Sequence, residues 1–142
     1  MNIVKHQMIE YENIISYRCK TEDSEIPSMV QSIIRNIDVL DLNVCAPIII
    51  GVHTAETEFI IPVDRAVKSS EGYYAYRPVF KLTNAARLRH YGSFRKIPDS
   101  IAALKTYLSD NSLVSDTDPY ISVKNLEKNV YDVFIGVSEN IL

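Results

Sequence analysis

The sequence predicts an α+β fold in which duplicated β-α-β-β modules form an antiparallel sheet with two main helices on one face. Three observations carry this prediction. Two amphipathic helical stripes each begin at a proline, stretches rich in β-branched and aromatic residues flank both, and anchors of the first half recur in the second at nearly constant spacing. Arg18 lies nine residues before Pro27 and Arg89 nine before Pro98, an offset of 71 (89 − 18 and 98 − 27). Pro47 and Pro119 are offset by 72, and Glu58-Phe-Ile-Ile-Pro-Val63 aligns with Asp132-Val-Phe-Ile-Gly-Val137 at 74. Chance similarity among common strand residues is the competing account. One helix shields only part of three strands, so two such units would pair side by side, with the other face of the sheet free to curve into a cleft.

Each element has a local reason. Residues 3 to about 20 hold Ile14, Ile15, Tyr17 and Cys19, strand-like content, with Asn13 placed to bend the strand. Ser24 is a candidate cap, and Pro27 suits the first turn of a helix, where its missing N–H would be unpaired anyway. Met29, Val30, Ile33, Ile37 and Leu40 mark that helix's buried stripe. PIIIGVHTAE and TEFIIPVDRAV read as two strands of a hairpin turning near residues 54–57. Lys68 to Gly72 is the most polar stretch and forms the joint between halves of about 1–70 and 71–142 within a single domain, 1–142. YYAYRPVF opens the second half as a strand. After Gly92, Pro98 starts a second helix, with Asp99 favourable in its first turn and Ile101, Leu104 and Leu108 as its stripe.

Composition excludes several classes. A chain of 142 residues with 46% hydrophobic content can bury its own core. Its formal charge of −3 and lack of long Lys/Arg runs argue against direct nucleic-acid binding, which needs clustered cations on phosphate. Charges break every apolar run before it reaches signal-peptide or membrane-spanning length, so a cytoplasmic protein without membrane contact is the simplest expectation. Cys19 and Cys45 are expected to be reduced and mostly buried. His6, His53 and His90 lack metal-ligand spacing, and neither a nucleophile elbow nor a glycine-rich phosphate loop is present; no metal or cofactor is expected.

The segment His90-Tyr-Gly-Ser-Phe94, a helix ending Leu104-x-x-Tyr-Leu108, and then Asn111-Ser-Leu113 together resemble the H-x-G-x-[YF] … helix … E-N-G-L core of the GyrI-like small-molecule-binding domains. These are also the effector-binding domains behind the DNA-binding parts of AraC- and MerR-type regulators. The closing strand, Asp132 to Val137, is similar to their terminal E-[IV]-x-[IV]-P-[IV]. The resemblance spans essentially the whole chain. It implies about eight strands, two helices, and a groove taking hydrophobic, often cationic, small molecules around a buried acid. Some members stand alone, and one branch resembles hydrolases that open strained rings with an acid and an aromatic. This sequence departs from the pattern: Asp132 replaces the usual Glu, Gly136 stands where Pro is usual, and there is no Trp. No helix-turn-helix is read in this sequence, so a direct regulatory role is expected to need a separate partner chain.

Alternation in the last strand puts Tyr131, Val133, Ile135 and Val137 on one face and Asp132, Phe134 and Gly136 on the other. The apolar set suits packing under helices, which turns Asp132 toward the groove. There, partial desolvation would raise its pKa unless a cation pairs with it. The ordinary alternative is a solvent-facing strand aspartate. Tyr74 and Tyr76 would supply aromatic walls and cation–π attraction, or simply sit as amphipathic sheet residues, as Tyr73 is expected to. Glu58, the repeat mate of Asp132, is the second acid, with an exposed hairpin glutamate as its alternative. The ligand-binding candidates are therefore Asp132, Phe134, Tyr74, Tyr76 and Glu58, with no catalytic residue. The expected function is a stand-alone module for an amphipathic or cationic ligand. A non-catalytic protein-interaction factor on the same scaffold is the alternative, and a ring-opening hydrolase the third.

Overall fold

A computed structural model of the chain describes residues 2–70 and 73–139. The elements run β1 (Ile3–Cys19), α1 (Ile26–Val39), β2 (Ile49–Val52), β3 (Thr57–Pro62), β4 (Ala75–Tyr91), α2 (Ile97–Asp110), β5 (Leu113–Ser115), β6 (Tyr120–Asn125) and β7 (Val130–Glu139). This is the α+β class the pattern predicts, with two helices and an antiparallel sheet. Seven strands are seen among the described residues, against about eight expected, because β1 and β4 each run unbroken for 17 residues.

The strands lie in the order β4-β1-β3-β2-β6-β7-β5, and β4 also pairs with β7, so the neighbours close on themselves. β1 pairs with β4 (Ile14 opposite Arg77) and, on its other edge, with β3 (Arg18 opposite Glu58). Correspondingly, β4 pairs with β7 on its other edge, placing Arg89 opposite Asp132. β2 and β6 join the two halves through Ile49–Ser122 and Gly51–Tyr120. The bend expected at Asn13 is present: its φ is 59°, a left-handed conformation that Asn tolerates better than most residues. Tyr76 Oη donates to its side-chain oxygen at 2.7 Å, and the Val63 N–H donates to its carbonyl at 2.8 Å.

Pro27 and Pro98 both sit in the first turn of their helices. Each helix is preceded by a short 3-10 turn, Asp23–Glu25 and Phe94–Lys96. Ser24 lies inside the first of these turns and does not cap α1; Glu25 occupies the cap position without a side-chain hydrogen bond. On α1, Val30 and Ile37 are buried and Met29 and Ile33 partly so, whereas Leu40, one residue past the last turn, is exposed. On α2, Leu104 and Leu108 are buried. Both helices pack on one apolar cluster that includes Phe59, Tyr131, Val133 and Ile135.

A second apolar cluster, Ile9, Ile14, Ile49, Ile60, Phe80, Leu82, Ala85 and Phe134, fills the opposite face of the curled sheet. The cleft expected there is therefore floored by the protein's own side chains. The expected joint at Lys68–Gly72 reaches residues 71 and 72, which lie outside the described ones; Ser70 faces Tyr74 in an isolated bridge. Tyr73 and Tyr74 fall in this turn, since β4 begins only at Ala75. Both cysteines are free, but Cys45 is exposed and Cys19 only partly buried, because each sits at or beyond a strand end rather than in the core. No helix among the described residues is long and apolar enough to cross a membrane.

Candidate functional site

The strand alternation places Tyr131, Val133, Ile135 and Val137 under the helices, and Asp132 and Phe134 on the concave face. Asp132 is 1% exposed and does not stand free. Arg89, directly across the ladder, donates from Nε to Oδ1 at 2.7 Å and from Nη2 to Oδ2 at 3.0 Å, a bidentate clamp. Lys124 Nζ lies 3.8 Å from Oδ2. Reciprocally, the hydrogen bond and charge of Asp132 raise the pKa of Arg89. On the other ladder, Ser122 sits across from Asp132 with its Oγ buried and without a hydrogen-bond partner.

In the first half Glu58, 2% exposed, likewise lies across from an arginine, Arg18. Ser16 Oγ donates to Oε2 at 2.7 Å, Arg18 Nη2 lies 3.6 Å from Oε1, and Arg77 Nη2 lies 3.8 Å from Oε2. His53 completes the shell, with Nε2 at 2.9 Å from Glu58 Oε1 and Nδ1 at 2.8 Å from Asp118 Oδ2. Both ring nitrogens face carboxylates, which accept only, so the arrangement calls for two N–H donors and hence the imidazolium. Burial lowers the His53 pKa, but the hydrogen bonds to Asp118 and Glu58 outweigh it and the net shift is upward. Burial raises the Glu58 pKa, yet its hydrogen bonds from His53 and Ser16 and the charges of Arg18 and Arg77 hold it below the ordinary value. Gly51 makes room for this contact: a Cβ there would meet His53 Nε2 at 2.9 Å and Glu58 Oε1 at 3.3 Å. Tyr120 and Phe80 stack edge-to-face beside it, with ring centroids 5.2 Å apart.

The structure thus brings Asp132, Phe134 and Glu58 onto one face but places Tyr74 and Tyr76 on the other. Tyr76 pairs across the ladder with Ile15, which packs under the helices, and Tyr74 packs against the same cluster. Tyr74 instead borders a cavity of about 340 Å³ beside α1, walled by Tyr17, Met29, Ile33 and Ile37. Residue-level reading missed His53, Ser16, Arg77 and Lys124. Arg18 and Arg89 were visible as repeat anchors, but their pairing with the acids follows only from strand register. Among the described residues, no group of three or more His, Cys, Asp or Glu side chains is arranged to hold a metal ion.

No protein-family model matches the sequence, and no curated protein matches it at a significant level. Solved structures do. The chain has the fold of the C-terminal domain of EcmrR, in keeping with the α+β arrangement that the resemblance to GyrI-like domains implies. It superposes on EcmrR in that protein's complex with DNA with a TM-score of 0.82 at 16% identity, covering 98% of this chain and 58% of EcmrR. The chain therefore spans somewhat over half the length of that relative. The isolated EcmrR C-terminal domain matches with a TM-score of 0.71 at 15% identity over 98% of both chains. A hydrolase from Listeria innocua matches with a TM-score of 0.58 at 12% identity, over 96% of this chain and 90% of the hydrolase. SAV2435, in a structure bound to tetraphenylphosphonium, matches with a TM-score of 0.52 at 10% identity, over 96% and 93% of the two chains.

Proposed function

We propose that this chain is a small-molecule-binding module of the effector-domain kind, and that it takes an amphipathic ligand on the concave face of its sheet. The observation that carries this reading is a matched pair of buried carboxylates, Glu58 and Asp132, one in each half, on the face away from the helices. Packing alone gives little reason for them, because replacing a buried ion pair by apolar residues is often neutral or stabilising. Between them lies an apolar floor including Ile49, Ile60, Phe80 and Phe134, the mix of apolar surface and few fixed charges that ligand sites use. The fold shared with EcmrR and with the tetraphenylphosphonium-bound SAV2435 supports the same reading.

A second reading, a protein-interaction factor, draws on one specific observation: Phe80, Leu82 and Phe134 are each 6% exposed, so the floor is already closed by the chain's own side chains. Titration with a panel of single-chain amphipaths, followed by thermal unfolding, separates the two. A concentration-dependent rise in midpoint supports the ligand reading, since anything binding only the native state stabilises it. A flat response across the panel favours the interaction factor.

A further inference from the structure

The two ends of the concave face carry different charge. Around Glu58, the cations Arg18, Arg77 and His53 meet three carboxylates, Glu58, Glu56 and Asp118, through contacts of 2.8 to 3.8 Å. Around Asp132 the balance is different. Arg89 and Lys124 both contact it, and Arg87 stands two residues before Arg89 on the same face of β4, across the ladders from Phe134 and Val4. Among the described residues Arg87 has no ion pair and its Nε is buried without a hydrogen-bond partner, while Arg89 and Lys124 pair with no acid but Asp132. Two cations therefore share one carboxylate, and a third, Arg87, stands beside them on the same face without an acid partner among the described residues. The Arg89 and Lys124 side chains remain 35% and 36% exposed, so this excess charge is reachable from solvent. Val4, 38% exposed beside Arg87, supplies apolar surface next to it.

A cationic head group placed here would meet net positive charge and would have to displace Arg89 from a bidentate bond. An anionic one would find guanidinium N–H groups suited to a carboxylate, together with the Lys124 ammonium. Resting on the ligand-binding reading above, we infer that the Asp132 end of the concave face binds the carboxylate head of an amphipathic anion through Lys124, Arg87 and Arg89. Asp132 is then the internal counter-ion that positions Arg89, and not the ligand's anchor.

The test uses three eight-carbon probes that differ only at the head: octanoate, octyltrimethylammonium and octanol, titrated into the full chain by calorimetry. Octanoate is expected to bind at least tenfold more tightly than the other two. Lys124→Gln and Arg87→Gln should each weaken it about tenfold, the size of a lost charge-assisted hydrogen bond. Because both side chains reach solvent or carry an unpaired N–H, these variants should fold, which a urea midpoint checks. Asp132→Asn should keep or strengthen octanoate binding while moving the Arg89 Nε–Hε NMR resonance, a signature that general destabilisation would not give. Tighter binding of octyltrimethylammonium, lost in Asp132→Asn, would overturn the inference while leaving the ligand reading intact. Equal binding of octanol and octanoate would overturn it as well. Failure of all three probes to bind would remove both.

Discussion

Arg89 donates two hydrogen bonds to Asp132, but the two are not equivalent partners, because Asp132 is sealed at 1% exposure while Arg89 reaches water. Removing the arginine leaves a buried carboxylate with only the Lys124 ammonium 3.8 Å away; removing the acid's charge leaves a guanidinium that solvent can serve. Arg89→Ala should therefore cost about 2–4 kcal/mol, the range for a broken buried pair discounted for the exposed partner, and Asp132→Asn clearly less. Urea denaturation of both variants measures the difference. His53 makes a pH prediction. Its folded pKa lies above the ordinary 6.5, so its contribution is complete below 6.5 and is lost as pH rises through the raised value. Glu58 acts in the opposite sense, its contribution being complete above 4.5 and lost as pH falls through its lowered folded value. An NMR titration of the His53 ring protons should show a midpoint above 6.5 that falls in Asp118→Asn. Sequence patterning could assign the face of Asp132, because strand alternation is a local property. It could not show Arg89 across from it, since that contact depends on register between strands 43 residues apart.

At the scale of elements, the helix-starting Pro27 and Pro98, the apolar stripes and Asn13 were legible because each acts within a few residues of itself. Helix starts, the extent of β1 and the bend in it follow from such local signals. The start of β4 did not: YYAYRPVF is uniformly strand-like, yet Tyr73 and Tyr74 turn back to bond with Ser70, and only Ala75 onward finds a partner in β1. Gly136 is held to glycine by its neighbours. Its N–H donates to Thr117 Oγ1 at 2.8 Å, and a Cβ there would meet Thr117 Cγ2 at 2.6 Å and Asp116 Oδ1 at 2.8 Å. Gly136→Ala must push the 116–117 segment off β7 and should cost about 1–3 kcal/mol, as overpacking does; thermal unfolding against wild type reads the loss. In α2, Leu104 is fully buried under the sheet, and Leu104→Ala should cost about 2–5 kcal/mol.

Across the whole molecule, each half has a long strand, a proline-started helix and two paired strands, the last of which sets an acid opposite an arginine, and the second half adds β5 between its helix and that pair. Their assembly closes the sheet around a second apolar cluster and sets Glu58 and Asp132 on the same face. The spacing of anchors in the sequence could not show that the cleft would be floored by Phe80, Leu82 and Phe134, because filling depends on how far the sheet curls. Nor did it separate the tyrosines at 74 and 76 from the acids, a consequence of the bend at Asn13 and the late start of β4. The claim on which the functional account turns is that a small amphipath seats on the concave face. The most direct measurement is a two-dimensional NMR titration with octanoate, reading backbone and arginine side-chain shifts. The account predicts saturable shifts gathered on the concave residues of β4, β6 and β7, centred on Arg87, Lys124 and Phe134. Shifts gathered on the cavity beside α1, or none at all, would contradict it.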